Sequence, residues 1–184
     1  MSTTEAARPE VPVLLEGSCH CGAVAFTVES FAPYPFCICH CTNDAKTNGV
    51  NNVNILGEFA SLKLLRGEPH LGIYQAWIAS EERKSTHKRH FCKVCASFLW
   101  AYDETYPQWC YPFANSIDTP LPVVAEKDQV HIFVESKKEY VTIPETVPEA
   151  HRFAKYPVGL GSLAQWHKDR GLYGTYQAPE QKKD

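Results

Sequence analysis

Over residues 23–28 the side chains alternate, with Val24, Phe26 and Val28 on one face. A period of two is that of a strand with one face on a core, so a half-buried β-strand is expected here. Residues 62–65, 73–77, 97–102, 109–113 and 131–134 hold similar mixtures of leucine, β-branched and aromatic residues and continue the series. No window carries a sustained apolar stripe of period 3.6 with caps at its ends, and the best helix candidate is a short one after Cys41. Thirteen prolines spread along the chain also oppose long helices. The pattern predicts a single, mostly β domain of largely antiparallel strands. Residues 1–11 are polar and read as a loose lead-in. Residues 12–150 form the expected body. Residues 151–184 mix proline, aromatic and charged side chains, which suggests an extension packed on that body with a frayed end.

Composition narrows the class without changing the picture. The chain has 184 residues, 44% of them hydrophobic, enough for a core that needs no disulfides. Eighteen Lys and Arg stand against twenty-one Asp and Glu, a formal charge of −3. Nucleic-acid binding, which asks for a basic face, is therefore not expected. No apolar run approaches eighteen residues and the opening lacks a signal-peptide pattern, so neither a membrane span nor secretion is expected. The default compartment is the cytoplasm, where thiols stay reduced.

The cysteines carry the chemistry. Cys19-His20-Cys21, Cys37-Ile38-Cys39-His40-Cys41 and Cys92-Lys93-Val94-Cys95 are tight clusters, and only Cys110 stands alone. Cysteines two residues apart are poorly placed to bridge each other, whereas two C-x-C groups and a remote C-x-x-C suit a tetrahedral Zn²⁺ held by thiolates. Gly22 sits where a tight turn must carry the chain away from such a metal. His20 and His40 alternate with ligand-type cysteines and so are expected to point away from a metal. His87 and His90 lie in a basic stretch, either a solvated strand end or a lip that binds anions. His131 reads as structural, and Cys110, flanked by aromatics, as a small buried hydrophobe. Tyr106, Trp109, Tyr111 and Phe113 are core residues or the wall of a pocket, and the sequence does not sort them.

Four segments resemble the family of glutathione-dependent formaldehyde-activating enzymes, which includes the centromere-protein-V-like domain. Gly17-Ser18-Cys19-His20-Cys21-Gly22-Ala23-Val24 matches an opening G-x-C-x-C-G-x-V, and Phe91-Cys92-Lys93-Val94-Cys95-Ala96-Ser97 is similar to F-C-x-x-C-G-S, with Ala96 where glycine is usual. Ser116-Ile117-Asp118-Thr119-Pro120 resembles G-x-L-D-x-P, and His131-Ile132-Phe133-Val134-Glu135-Ser136-Lys137 resembles H-I-F-V-x-S-K. The resemblance implies a β-tent fold with a structural zinc on Cys19, Cys21, Cys92 and Cys95. It also implies a carbon–sulfur lyase-like enzyme with a small-molecule substrate and glutathione as a candidate co-substrate.

The second cluster departs from that family. Its usual pattern is C-x-C-x-x-C, and with Gly49 aligned on the family's glycine, Cys39 and Cys41 fall on the first two cysteines and Asp44 on the third. Cys39, Cys41 and Asp44 are thus the expected catalytic residues and the ligands of a second zinc, with Cys37 as an alternative ligand. A Cys₂Asp set is harder than Cys₃, so metal should be held more weakly there. If Asp44 is not a ligand, it is a candidate general acid or base. The function expected is of the formaldehyde-activating type, acting on a small electrophile or thiol adduct. Divergence to another lyase, isomerase or hydrolytic step on a carbonyl compound is open. The alternative is a non-catalytic zinc module that binds a protein partner.

Overall fold

The computed structural model describes residues 10–157 and 163–179. Most of the expected lead-in and the expected frayed end lie outside the described residues. The elements run β1 (Val13–Ser18), β2 (Ala25–Ser30), β3 (Cys37–Cys39), α1 (Thr42–Thr47), β4 (Asn52–Val53), β5 (Gly57–Glu58), β6 (Lys63–Arg66) and β7 (Leu71–Tyr74). Then follow β8 (Trp77–Ile78), β9 (Arg83–Lys84), β10 (His87–Cys92), β11 (Phe98–Asp103), β12 (Trp109–Pro112), β13 (Val130–Ile132) and α2 (Leu163–Asp169). They form sheets ordered β1-β2-β6, β5-β12-β11-β10-β7, β13-β3-β4 and β8-β9. All pairings are antiparallel except that of β13 with β3. The fold is the mostly β class that the alternation predicts. Among the described residues no helix is long and apolar enough to cross a membrane.

The expected strand over residues 23–28 is β2, and it is covered on both faces. Val24, Phe26 and Val28 are fully buried, and Ala25 and Thr27 are nearly so. β2 is the central strand between β1 and β6, so neither flank is an edge. Phe26 packs on Trp100 of β11 at 4.9 Å between ring centroids, joining the three-stranded and five-stranded sheets. Leu15, Ile55 and Leu99 complete the same core. The close approach requires Gly17: a Cβ there would stand 2.5 Å from the Phe26 ring and 2.8 Å from the Ser116 carbonyl oxygen. The stretch over residues 73–77 is not one strand, since Gln75 and Ala76 separate β7 from β8.

A second core surrounds the strand that carries the middle cysteines. β13 lies parallel to β3, with Val130 opposite Cys37 and Ile132 opposite Cys39. Phe36, just before that strand, stacks on Trp166 of α2 at 3.6 Å and meets the edge of His167 at 5.0 Å. His167 is 1% exposed, its Nδ1 lies 2.6 Å from the Leu163 carbonyl oxygen, and burial lowers its pKa to about 4. Above pH about 6.5 the ring is neutral in both folded and unfolded chains, so the site is silent. As pH falls towards 4 only the unfolded chain takes the proton, and stability drops by up to about 3 kcal/mol. Denaturant midpoints at pH 7 and pH 4 should therefore differ less in His167→Leu than in the unaltered protein. An identical pH loss in both would refute this origin.

Candidate metal centres and their cavity

The first centre sits where the ends of two sheets meet. β1 delivers Cys19, and a turn closed by hydrogen bonds from Gly22 N to Cys19 O (2.9 Å) and from Cys19 N to Val24 O (3.0 Å) places Cys21. Gly22 has φ +71°, the left-handed backbone that this turn requires. Cys92 ends β10, and Cys95 follows on a turn in which Ala96 N donates to Cys92 O at 2.8 Å. Ala96 itself has φ 61°, a mildly strained position for a residue with a Cβ. The four Sγ atoms all lie within 4.8 Å of one another. Sulfurs about 2.3 Å from a tetrahedral zinc stand about 3.8 Å apart. The Cys19–Cys21 and Cys21–Cys92 sulfurs are separated by 3.6 Å and 3.9 Å, so the set fits such an ion. Backbone N–H groups of Val24 and Val94 approach the sulfurs of Cys19 and Cys92 at 3.2 Å and 3.4 Å, and the Ser97 hydroxyl lies 3.2 Å from Cys95 Sγ. Such donors stabilise thiolate charge. All eight cysteines are free of disulfides.

The second centre is built by β3 and the start of α1. Cys39 ends the strand, and Cys41 is the N-cap of the expected short helix, its sulfur accepting from Asp44 N at 3.3 Å. Asp44 therefore lies in the first helical turn, a favourable end for a carboxylate. Cys39 Sγ, Cys41 Sγ and an Asp44 oxygen lie within 4.8 Å of one another, a set that could hold a metal. Cys37 stands outside this group, although it faces the same cavity. The hydrogen bond shared with Cys41, then burial and the Asp44 charge, raises Cys39 far above the ordinary thiol range. The same bond lowers Cys41, helped by the Asp44 backbone N–H and the Arg89 guanidinium. Cys41 is thus the sulfur more readily ionised. Cys37 is pushed up to about 12 by burial and Asp44.

Arg89, in the middle of β10, completes the second centre, and nothing in the local sequence announces it. Its Nη2 donates to Asp44 Oδ1 at 2.9 Å, with both side chains over 90% buried. Its Nε and Nη1 are buried without a protein partner among the described residues. Asp44, read from sequence as a ligand or a proton carrier, is held by an ion pair.

A cavity of about 770 Å³ opens over Cys39, Cys41, Asp44 and Arg89. Tyr106, Trp109, Tyr111, Tyr156 and Phe133 form its walls, and His87 and Asp103 also line it. Of the aromatics left unsorted, three are thus wall and Phe113 is core, 1% exposed. The two histidines of β10 separate as alternation demands. His87 faces the cavity, whereas His90 stacks on Trp100 at 4.8 Å. His20 is exposed. His40 turns from the cavity and pairs with His131 at 2.8 Å, both rings buried. Cys110 is fully buried, and desolvation pushes its thiol up to about 12.

A family model described as "Glutathione-dependent formaldehyde-activating enzyme" matches residues 14–136. A Halomonas elongata protein described as "Putative glutathione-dependent formaldehyde-activating enzyme" is 43% identical over 162 residues, 87% of this chain and 98% of that one. A crystal structure of a Rhodobacter sphaeroides protein aligns at 24% identity over 58% of this chain and 91% of its own, with a TM-score of 0.46. The matched span holds both cysteine centres, β10 with Arg89, and most of the cavity wall. By that span and by the near full-length relative, the chain belongs to the glutathione-dependent formaldehyde-activating enzyme family.

Proposed function

We propose that this protein is an enzyme that catalyses the reversible addition of a thiol to a small aldehyde, a reaction of the carbon–sulfur lyase type. Glutathione and formaldehyde are the pair that the relative's description suggests. The observation that carries the reading is the convergence of Cys39, Cys41 and Asp44 at the floor of a cavity of about 770 Å³. A non-catalytic zinc module would have no need of a cavity above its second cluster. The reduced thiols at both centres suit a reducing compartment such as the cytoplasm.

Cys19, Cys21, Cys92 and Cys95 would hold a structural Zn²⁺, and a set of four thiolates would leave no position for substrate. Cys39, Cys41 and Asp44 would hold a second Zn²⁺ at the floor of the cavity. When bound, that ion supplies a polarising charge that favours a substrate thiolate over the thiol. The rest falls to the chain. Arg89 fixes the Asp44 carboxylate and sets a permanent positive charge beside the cavity, which favours an anionic substrate sulfur or oxygen there. The aromatic walls hold thiol and aldehyde together, which lowers the entropic part of the barrier.

Following the hydroxymethyl adduct of glutathione by NMR exchange tests the reaction directly. Acceleration over buffer is expected, and a rate equal to buffer would eliminate it in favour of another carbonyl reaction. The donor sets also predict metal content: about one zinc per chain as purified, rising towards about two only when zinc is added. Two zincs retained through dialysis would show that Asp44 does not weaken the second site.

A further inference from the structure

We propose that His87, oriented by Asp103, is the proton-transfer residue of the cavity. The inference rests on the proposed thiol–aldehyde reaction and gives it a component that the cysteine clusters lack.

The placement follows from the pairing of two strands. In the β10–β11 ladder His87 lies directly opposite Asp103, and its Nδ1 stands 3.0 Å from Asp103 Oδ2. Asp103 is itself fixed. Its Oδ2 accepts from the Thr86 hydroxyl at 2.7 Å and its Oδ1 from Thr105 N at 2.9 Å. Tyr111 lies nearly parallel to the imidazole, at 5.6 Å and 19°, and limits its rotation from the side of β12. A carboxylate on Nδ1 makes that nitrogen the donor and leaves Nε2 with the lone pair. No hydrogen bond occupies Nε2 among the described residues, and the ring lines the cavity. His87 and Arg89 are two positions apart on one strand and therefore share the face towards Cys39, Cys41 and Asp44.

The chemistry requires such a group. When a thiol adds to an aldehyde, a carbon–sulfur bond forms, the carbon–oxygen π bond breaks, and the thiol proton ends on the new hydroxyl oxygen. No oxidant or reductant takes part. The proton must leave sulfur and reach oxygen, and a side chain fixed beside both atoms moves it faster than an encounter with bulk water. Asp44 is committed to Arg89, and Arg89 has no proton to release at working pH. His87 is the one imidazole lining the cavity among the described residues. Its Nε2 accepts the proton from the thiol and returns it to the oxygen, with the reverse order in adduct breakdown.

The test compares unaltered protein, His87→Gln and Asp103→Asn in the glutathione–formaldehyde exchange, with near-UV circular dichroism and zinc content confirming the fold of each. His87→Gln should slow the catalysed exchange by about 10²- to 10⁴-fold with KM for glutathione little changed. Asp103→Asn keeps the ring but removes the charge that orients it, so ¹⁵N NMR should show His87 protonated on Nδ1 in the unaltered protein and shifted towards the other tautomer in the variant. Unaltered protein that leaves exchange at the buffer rate overturns the reaction and this proposal with it. Acceleration that survives in His87→Gln, or a His87 ring protonated on Nε2 alone, overturns the proposal and leaves the reaction standing.

Discussion

Stripping metal from Cys19, Cys21, Cys92 and Cys95 is expected to unfold the protein. Two of these ligands end β1 and its turn in the three-stranded sheet, and two end β10 in the five-stranded sheet. Bonds from all four to one ion would join segments 71 residues apart. Structural zinc contributes on the order of 10–16 kcal/mol to small thiolate domains, while a domain's whole net stability is about 5–15 kcal/mol. Losing the clamp removes as much as the fold has to spare. Without a cation the sulfurs also crowd one another, since thiolates this close cannot all stay charged. A strong chelator should abolish the near-UV signal of Trp100, whose ring is held between Phe26 and His90. Cys92→Ser should behave like the chelated protein. Cys110→Ala, equally buried but outside both centres, should cost only about 1 kcal/mol. Full removal of metal with the near-UV spectrum and denaturant midpoint intact would refute the clamp.

How much of this was legible in the sequence depended on the range of the interaction. β2 was readable because its alternation of Val24, Phe26 and Val28 is local. The cysteine clusters were readable because ligands two or three residues apart announce a centre within one turn of chain. β10 was not recognised as a full strand, because His87, Lys88, Arg89 and His90 carry no apolar alternation. Its inward side chains are polar because they face a cavity and not a core, so the hydrophobic code has nothing to report there. The same holds for the Arg89–Asp44 and His87–Asp103 pairs. Each joins positions on different elements, and only strand pairing and the docking of α1 bring them together. α2 went unseen for another reason. Its seven residues are too few to show a helical period, and they lie in a tail whose prolines and aromatics suggest irregular chain, so the S-x-x-Q pattern at Ser162–Gln165 did not stand out.

The Arg89–Asp44 pair alters what substitutions at the second centre should do. Arg89→Met leaves the Asp44 carboxylate buried without its partner, and a loss of about 3–5 kcal/mol is expected. Asp44→Asn with Arg89→Met removes both charges and should recover a large part of that loss, a coupling that a double-mutant cycle in denaturant would measure. Simple additivity would mean that the pair is no more than a contact. Asp44→Cys creates the three-thiolate set, which is softer and should hold zinc more tightly. It also removes the counter-ion of Arg89. Without metal the guanidinium then faces a neutral thiol in a buried site, so the zinc-free variant should be less stable than the parent. With zinc, three thiolates restore negative charge beside Arg89, and stability should return. The signature of Asp44→Cys is therefore a denaturant midpoint that depends steeply on added zinc, together with a second zinc that survives dialysis. If the variant gains no zinc, the placement of Asp44 at the third cysteine position is wrong, and Cys37, facing the same cavity, becomes the ligand to test next.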